Sequence, residues 1–542
     1  MREIGGIGML YRDLRYAFRA LGRGPGFTAV TVLSLALGIG AATAIFSAVY
    51  GVLINPYPYA KPNEIWAPFV REAKSGRQSW HAYSYRDLRE IQKLPAVAGA
   101  MGTTYENVLL TGDRSPEFFN GVRLSGNAFN FLGVDPIAGR TIQPSDVQPG
   151  SEPEPVVVLS YLLWQRLFQG DPAALGQRLV LNGLPHTIIG VMPPRFGWYG
   201  NDSFWLPLGA DPRGERSLMV ILRLKRGVAK EAGEQQLQAL NLRLAAELPD
   251  SFPKNGFRST LRNYMDMTVA SGAMQASLYL LLAMVAFLLL IACANVASLQ
   301  LARTTSRARE IAIRLSIGAG RRRILQQLLT ESVLLAVIGG ALGVLFAVAA
   351  TKAIVALMPR FNLPNEARIT LNGHVLLFSL AVSLLTGILF GLAPAIKAAR
   401  SDLTGTLKDG ARGAGLAIGG RRARDILVAV EIALAVILLA GSSLAVRTFL
   451  QLQRVDLGYQ ADRVLLVGLP LPPTRYATLA QRNEFAQRLL ERLKNLPGVQ
   501  AAAIGNGAFT YGGPQSTYAI EGRPQAEQSR VRVGLISADY LR

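Results

Sequence analysis

The residues whose types and spacing could do chemistry gather in one stretch, Arg303 to Leu335. Arg307, Glu310, Arg314, Arg321, Gln327 and Glu331 are interleaved there with Ile311, Leu315 and Ile317. The three apolar residues recur at about helical spacing, while Arg307, Arg314 and Arg321 fall largely elsewhere. Gly318, Ala319 and Gly320 interrupt the pattern, and a second helix is expected to start at Arg321. Long apolar runs flank the stretch, 278–301 before it and 332–358 after it. Positive charge of this density between two membrane spans reads as a short cytoplasmic loop. A kinked basic helix pair against a membrane face is a surface built to touch something; a positive-inside anchor is the equally weighted alternative. The chemistry on offer is contact rather than bond making.

Nothing else in the chain supplies a reaction. There is no G-x-x-x-x-G-K-[ST] loop, and no Gly-Lys dipeptide at all. There is no G-x-S-x-G elbow and no H-E-x-x-H pair. Cys293 stands alone inside an apolar run, so it reports no redox compartment. His81, His186 and His374 are scattered without carboxylates or cysteines at ligand spacing. No catalytic site, no metal and no cofactor are therefore expected in this chain. Within the apolar runs the notable polar residues are Asn295, Glu331, Lys352 and Glu431. Glu331 and Glu431 each lie within about two helical turns of a basic cluster. Pairing with arginine near the interface is the favoured reading for both, ahead of a proton relay; Lys352 can snorkel outward.

The elements that must position this stretch follow from the rest of the 542 residues. Half of them are hydrophobic, with a mean hydropathy of +0.25, too apolar for an ordinary soluble protein and too polar for one that is all membrane. The net charge of +21 first suggests nucleic acid, but Arg and Lys crowd the edges of apolar runs, which is a topology signal. No nucleic-acid partner is expected; membrane lipid is. Residues 1–26 carry five arginines, with Leu10, Leu14, Ala17, Phe18 and Leu21 on one helical face, as in a cytoplasmic interfacial helix. A first span at 27–54 has no charged residue. Residues 55–275 contain no span and read as an extracytoplasmic mixed α/β domain. Strands are expected at 156–159, 178–181, 186–191 and 218–224 and helices at 162–168 and 231–248, with Asn182-Gly183 as a type I′ hairpin turn. The helix at 231–248 sets Leu237, Leu240, Leu244 and Leu248 on one side. Further spans are expected at 278–301, 332–358, 374–396 and 426–446, with a flexible cytoplasmic linker at 401–425. The dense basic clusters then all fall on one side if the N-terminus is cytoplasmic. Gly339 with Gly343, and Gly387 with Gly391, have the four-residue spacing of close helix contacts, a weak signal taken singly.

The run Glu310-Ile-Ala-Ile-Arg-Leu-Ser-Ile-Gly-Ala-Gly-Arg321, followed by Gln327-Leu-Leu-Thr-Glu331, resembles the signature of the FtsX/MacB family of ABC transporter permeases. Val122 to Phe129, Leu132-Gly-Val134, Gly139-Arg140, Trp164, Gly170-Asp-Pro172, Leu175-Gly176 and Ile189 to Pro193 resemble, in order, the MacB-type periplasmic core domain. The resemblance implies a membrane α-helical bundle, an FtsX-like permease domain at 276–400, with an α/β periplasmic core on it. It also implies that 303–327 is a coupling loop where a separate cytoplasmic ABC ATPase docks, with ATP and Mg on that partner. A bacterial inner-membrane location follows, with an external adaptor or substrate protein as a further partner class. The activity implied is export or extraction of amphiphiles, peptides or lipoproteins; FtsX-like signalling to an external partner is the alternative, and an inactive truncated relic a third.

Residues 447–542 repeat the start of the external domain. Leu490 to Val499 echoes Leu88 to Val97, and Ile536 to Leu541 echoes Leu124 to Phe129. A span followed by a matching domain start, roughly 400 residues on, is an internal duplication. The chain resembles duplicated MacB-like permeases, and its second copy is expected to be truncated at Arg542, part-way through its domain; an independent short form with a vestigial second domain is the alternative.

Overall fold

The computed structural model describes residues 4–112, 115–147, 152–198, 200, 203–209, 217–268, 272–307, 310, 313–314, 317, 320–357, 366–400, 418–455, 463–469, 471, 476–505, 515–518 and 529–541. The chain begins with helix α1 (Ile4–Gly22) and turns at Gly24 into α2 (Pro25–Val49), whose first residue is the proline. Proline suits this position because the first helical N–H has no intrahelical partner to lose. A π turn at Tyr50–Ile54 closes the helix, with Asn55 N donating to Tyr50 O at 2.7 Å. Helix α1 buries part of its apolar face. Ala17, Ala20 and Leu21 are buried, but Phe18 is exposed, because the helix turns the 13–17–20 stripe inward.

The α/β domain follows: β1 (Ile65–Glu72), β2 (Gln78–Trp80), α3 (Tyr85–Gln92), β3 (Val97–Thr111), β4 (Glu117–Leu124), α4 (Ala128–Leu132), β5 (Ala138–Gly139), β6 (Val156–Leu159), α5 (Tyr161–Phe168), β7 (Arg178–Leu181), β8 (Leu184–Val191), β9 (Ser203–Pro207), β10 (Met219–Leu224), α6 (Lys230–Glu247), β11 (Phe257–Asn263) and α7 (Tyr264–Thr268). One sheet runs β11-β1-β10-β3-β4-β9-β6-β8-β5, with β2 on β1 and β7 bridging β3 and β8. Only β4 with β9 and β6 with β8 pair in parallel among the described strands. Local chemistry explains the ends. Ser84 and Asp87 cap α3 reciprocally, and Ser160 accepts from Leu163 N at the start of α5. Asn182 and Gly183 both take positive φ, +52° and +84°, as the type I′ turn requires. Helix α6 buries Leu237, Leu240 and Leu244, whereas Leu248 is exposed: the helix stops at Glu247 ahead of Pro249, so Leu248 falls outside its apolar stripe.

Four long helices come next: α8 (Gly272–Ser306), α9 (Arg321–Leu357), α10 (Gly373–Arg400) and α11 (Ile418–Gln453). Helices α2, α8, α9 and α11 are long and apolar enough to cross a membrane; the described apolar part of α10 is shorter, Gly373–Leu389. Helix α9 starts at Arg321, as expected, and runs without a break into the apolar span. The glycine pairs sit at close helix crossings. A Cβ on Gly339 would lie 2.7 Å from Leu35 Cβ, and one on Gly343 3.0 Å from Ala36 O. On α10, a Cβ on Gly387 would lie 2.9 Å from Ala336 Cβ, and one on Gly391 2.5 Å from Ser332 Cβ. Backbones approach this closely only where side chains are missing. Of the linker expected at 401–425, residues 401–417 lie outside the described residues, whereas 418–425 are already helical and form the first turns of α11.

The last part contains α12 (Leu479–Lys494) and a two-stranded pair, β12 (Gln515–Tyr518) with β13 (Ser529–Arg532). Its hydrogen bonds reproduce those of the first domain. Leu94 N to Ile91 O and Val97 N to Leu94 O recur as Leu496 N to Leu493 O and Val499 N to Leu496 O. Ser125 joins Gly102 through its backbone N–H and accepts from Gly102 N through Oγ; Ser537 does both with Ile504. A capping box, Thr478 with Gln481, opens α12 as Ser84 with Asp87 opens α3. The sequence echo is thus also an echo of local structure.

Candidate functional site

The basic stretch sits where α8 ends and α9 begins, with α1 laid across it. Arg303 at the end of α8 donates to Ala20 O of α1 at 2.6 Å and stacks over Phe27, 4.6 Å from the ring centre. Arg307 pairs with the buried Glu331 carboxylate at 3.4 Å. Arg314 donates to Tyr16 Oη at 2.8 Å, to Gln327 Oε1 at 3.4 Å, and to Glu310, while Tyr16 donates to Glu310 at 3.3 Å. Arg323, one turn into α9, forms a two-pronged pair with Asp13, whose side chain is buried. The hydrogen bond it donates to Tyr16 and the nearby carboxylates hold Arg314 more firmly protonated than an ordinary arginine, against the opposing effect of partial burial. Tyr16, Arg307, Glu310, Arg314, Gln327 and Glu331 enclose a cavity of about 20 Å³, room for one water.

Five of the sequence-selected residues, Arg307, Glu310, Arg314, Gln327 and Glu331, therefore meet in one polar cluster. Ile311, Leu315, Gly318 and Ala319 lie outside the described residues, as does the side chain of Arg321. The expected pairing of Glu331 with arginine is present. Sequence reasoning did not select Asp13, Tyr16 and Arg323, which clamp α1 onto the cluster. Asp13 carried a signal: it is an acidic residue set among Arg12, Arg15 and Arg19 on a helix, and its stripe with Ala17 points inward. The face left open is apolar at its tip. Ile313 is 46% exposed and Ile317 81% exposed, beside the exposed carboxylate of Glu310.

A second constellation joins the helices to the α/β domain at the other end of the bundle. Segment 366–372, between α9 and α10, is pinned by Arg368 Nη2 donating to Pro194 O at 2.7 Å and by Ser47 Oγ donating to Thr370 O at 3.0 Å. Arg195 Nη2 donates to Asn55 O at 2.8 Å. Glu366 accepts a hydrogen bond from Tyr59 within a shell of aromatic rings. Tyr59 stacks on Tyr57 at 5.2 Å and meets Trp198 edge-on at 5.4 Å, and Trp198 stacks on Tyr264 at 5.1 Å. Burial pushes the Glu366 carboxyl up to about 7 and the Tyr59 phenol well above its usual range. This shell continues through Val49, Val52 and Ile369 into the domain core, so helices and sheet share one apolar cluster.

The family model for the MacB-like periplasmic core domain matches residues 28–240, and the one for the FtsX-like permease C-terminal matches 282–403. The chain belongs to the MacB/FtsX family of ABC transporter permeases. The macrolide export ATP-binding/permease protein MacB of Escherichia coli K12 is 29% identical over 404 residues, 72% of this chain and 59% of that protein. Its namesake from Salmonella typhi is 32% identical over 329 residues, 59% of this chain and 48% of that protein. The chain thus spans little more than half the length of these relatives. The crystal structure of the periplasmic region of MacB from Actinobacillus actinomycetemcomitans aligns with 41% of this chain and 94% of its own, at 17% identity and a TM-score of 0.30.

Proposed function

We propose that the chain is the membrane subunit of a MacB-like ABC system and that a separate cytoplasmic ATPase docks on the segment around residues 303–327. The N-terminus is cytoplasmic on this reading, the α/β domain is periplasmic, and the helices carry nucleotide-driven movement from one to the other. The observation that supports it most is the apolar side chain of Ile317, 81% exposed, on a cluster held together by α1, α8 and α9. An apolar side chain exposed at such a place suits insertion into a groove. Substrate would be handled by the external domain, since the glycine crossings leave a packed bundle rather than a polar conduit. Amphiphiles, peptides and lipoproteins are the substrate classes this reading admits.

The test is capture of the ATPase encoded beside the gene by the full chain in mild detergent. Ile317→Asp alters the exposed tip without touching the α1 clamp. It is expected to abolish capture while thermal stability stays at the wild-type value. Full capture by this variant would refute docking at this tip.

A further inference from the structure

The short segment 366–372 does more than connect two helices. It lies against the end of α2, the β8–β9 connection and the aromatic shell, and it inserts one carboxyl, Glu366, which is only 4% exposed. A buried carboxylate needs a counter-charge or a full set of donors, or else it keeps its proton. Among the described residues the groups that face it are few. Tyr59 and Tyr57 come from the chain just after α2, and Tyr264 comes from α7. Arg195 comes from the β8–β9 connection, at a range where its charge acts on Glu366; its Nη2 donates to Asn55 O, and among the described residues its Nε is buried without a hydrogen-bond partner and it forms no ion pair with Glu366. Arg368, on the segment itself, is committed to Pro194 O, and it acts on Arg195 as a like charge. His374 at the start of α10 stacks on Tyr50 at 5.3 Å. No ion pair with Glu366 forms among the described residues. The shell therefore suits a neutral carboxyl and disfavours a charged one.

We propose that segment 366–372 is a proton-operated latch between the helix bundle and the α/β domain, seated while Glu366 is protonated and loosened when it ionises. The sign follows from linkage. The seated form holds its proton up to about pH 7, whereas a released, hydrated side chain holds it only to its ordinary 4.5. Seating is therefore favoured below pH 4.5, weakens as pH rises from there through 7, and changes no further above that. Between pH 5.5 and 8.5 this linkage raises the opening equilibrium about thirtyfold. Acidity at the external face would keep helices and domain coupled, and neutral or alkaline conditions would free them. The latch is independent of what the domain handles and of whether an ATPase docks below.

The test is hydrogen exchange of the full chain in lipid nanodiscs from pH 5.5 to 8.5, corrected for intrinsic exchange. Peptides covering 366–372 are followed, with a β3 peptide as control. Wild type should lose protection at the segment about thirtyfold with a midpoint near pH 7, while β3 stays flat. Glu366→Gln, a permanent mimic of the protonated form, should remain protected at every pH. Tyr59→Phe keeps the ring but removes a hydrogen bond that favours the ionised form, so its midpoint should move to higher pH. A flat wild-type profile, or pH dependence retained in Glu366→Gln, would overturn the latch. Should Glu366→Gln not fold, an unmoved midpoint in Tyr59→Phe would overturn it equally.

Discussion

Replacing Gly40 by alanine should destabilise the bundle, although alanine is the better helix former. In an open helix interior the exchange gains roughly 0.5–1 kcal/mol. At Gly40 the added methyl would lie 2.6 Å from Gly343 O and 2.8 Å from Phe346 Cδ1. Ordinary carbon–oxygen contact begins near 3.4 Å, so α2 and α9 must part by about 0.8 Å at their crossing, a gap that forfeits a quarter to a half of each dispersion contact beside it. Phe346 can rotate away, but the Gly343 carbonyl is tied into its helix and cannot. Overpacking of this kind costs about 1–3 kcal/mol, which exceeds the propensity gain. The net loss expected is thus about 1–2 kcal/mol. Gly26→Ala, on the same helix with nothing within 4 Å, isolates the propensity term and should be neutral or stabilising. Thermal unfolding of both variants in one detergent, followed by the far-ultraviolet circular dichroism of the helices, reads the two signs side by side. A Gly40→Ala protein as stable as Gly26→Ala would refute the claim that these backbones touch.

Two further outcomes follow from single positions. Asp13→Ala removes the acceptor of Arg323; because that guanidinium is 41% exposed and can reach water, the loss should be about 1–2 kcal/mol rather than the full penalty of a buried pair. Trypsin should then cut at Arg12, Arg15 or Arg19 about tenfold faster, with the α/β domain unaffected. Gly139→Ala should destabilise the domain by at least ~2 kcal/mol, since Gly139 has φ +72° and its added Cβ would lie 2.2 Å from Ile189 O. A thermal midpoint within a degree of wild type would contradict that.

What could be read in advance divides by the range of the interaction. Val156–Leu159 is a strand by its unbroken apolar run, and Asn182-Gly183 sets its turn through backbone freedom, so both were legible. The long β3–β4 hairpin was not. Its first strand, VAGAMGTTYENVLLT, is rich in Gly, Ala and Thr and has little hydrophobic contrast, and its pairing depends on partners elsewhere in the sheet. Gly339, Gly343, Gly387 and Gly391 carried a signal too weak to rank singly, yet each sits where an added Cβ would collide. Within the basic cluster, Glu331 was legible because arginines lie within reach along the same helices. Asp13 and Arg323 are 310 positions apart, and neither local pattern names the other. Glu366 is the extreme case. In sequence it is an ordinary loop carboxylate, and only the contact with Tyr59, 307 positions earlier, buries it.

Helix α9 links these observations. It begins at the basic cluster, where Arg323 holds α1, and crosses α2 at Gly339 and Gly343. It ends ahead of the segment that carries Glu366. With 37 residues it is about 55 Å long. A rod of that length packed through glycines has a narrow crossing near its middle and polar clamps at or just beyond its two ends. On the proposed reading, a push at Arg321–Glu331 tilts α9 about the Gly40–Gly343 contact and swings its far end against the α/β domain. Whether that swing moves the domain depends on the seating of segment 366–372. If the segment is seated, α9 and the domain move together; if it is loosened, the same tilt is absorbed in the connection. The pivot and the latch thus make separable demands. Gly40→Ala should weaken the crossing at every pH, and Glu366→Gln should abolish only the pH dependence. A double variant should show both effects without interaction, because the two sites share no side-chain partner.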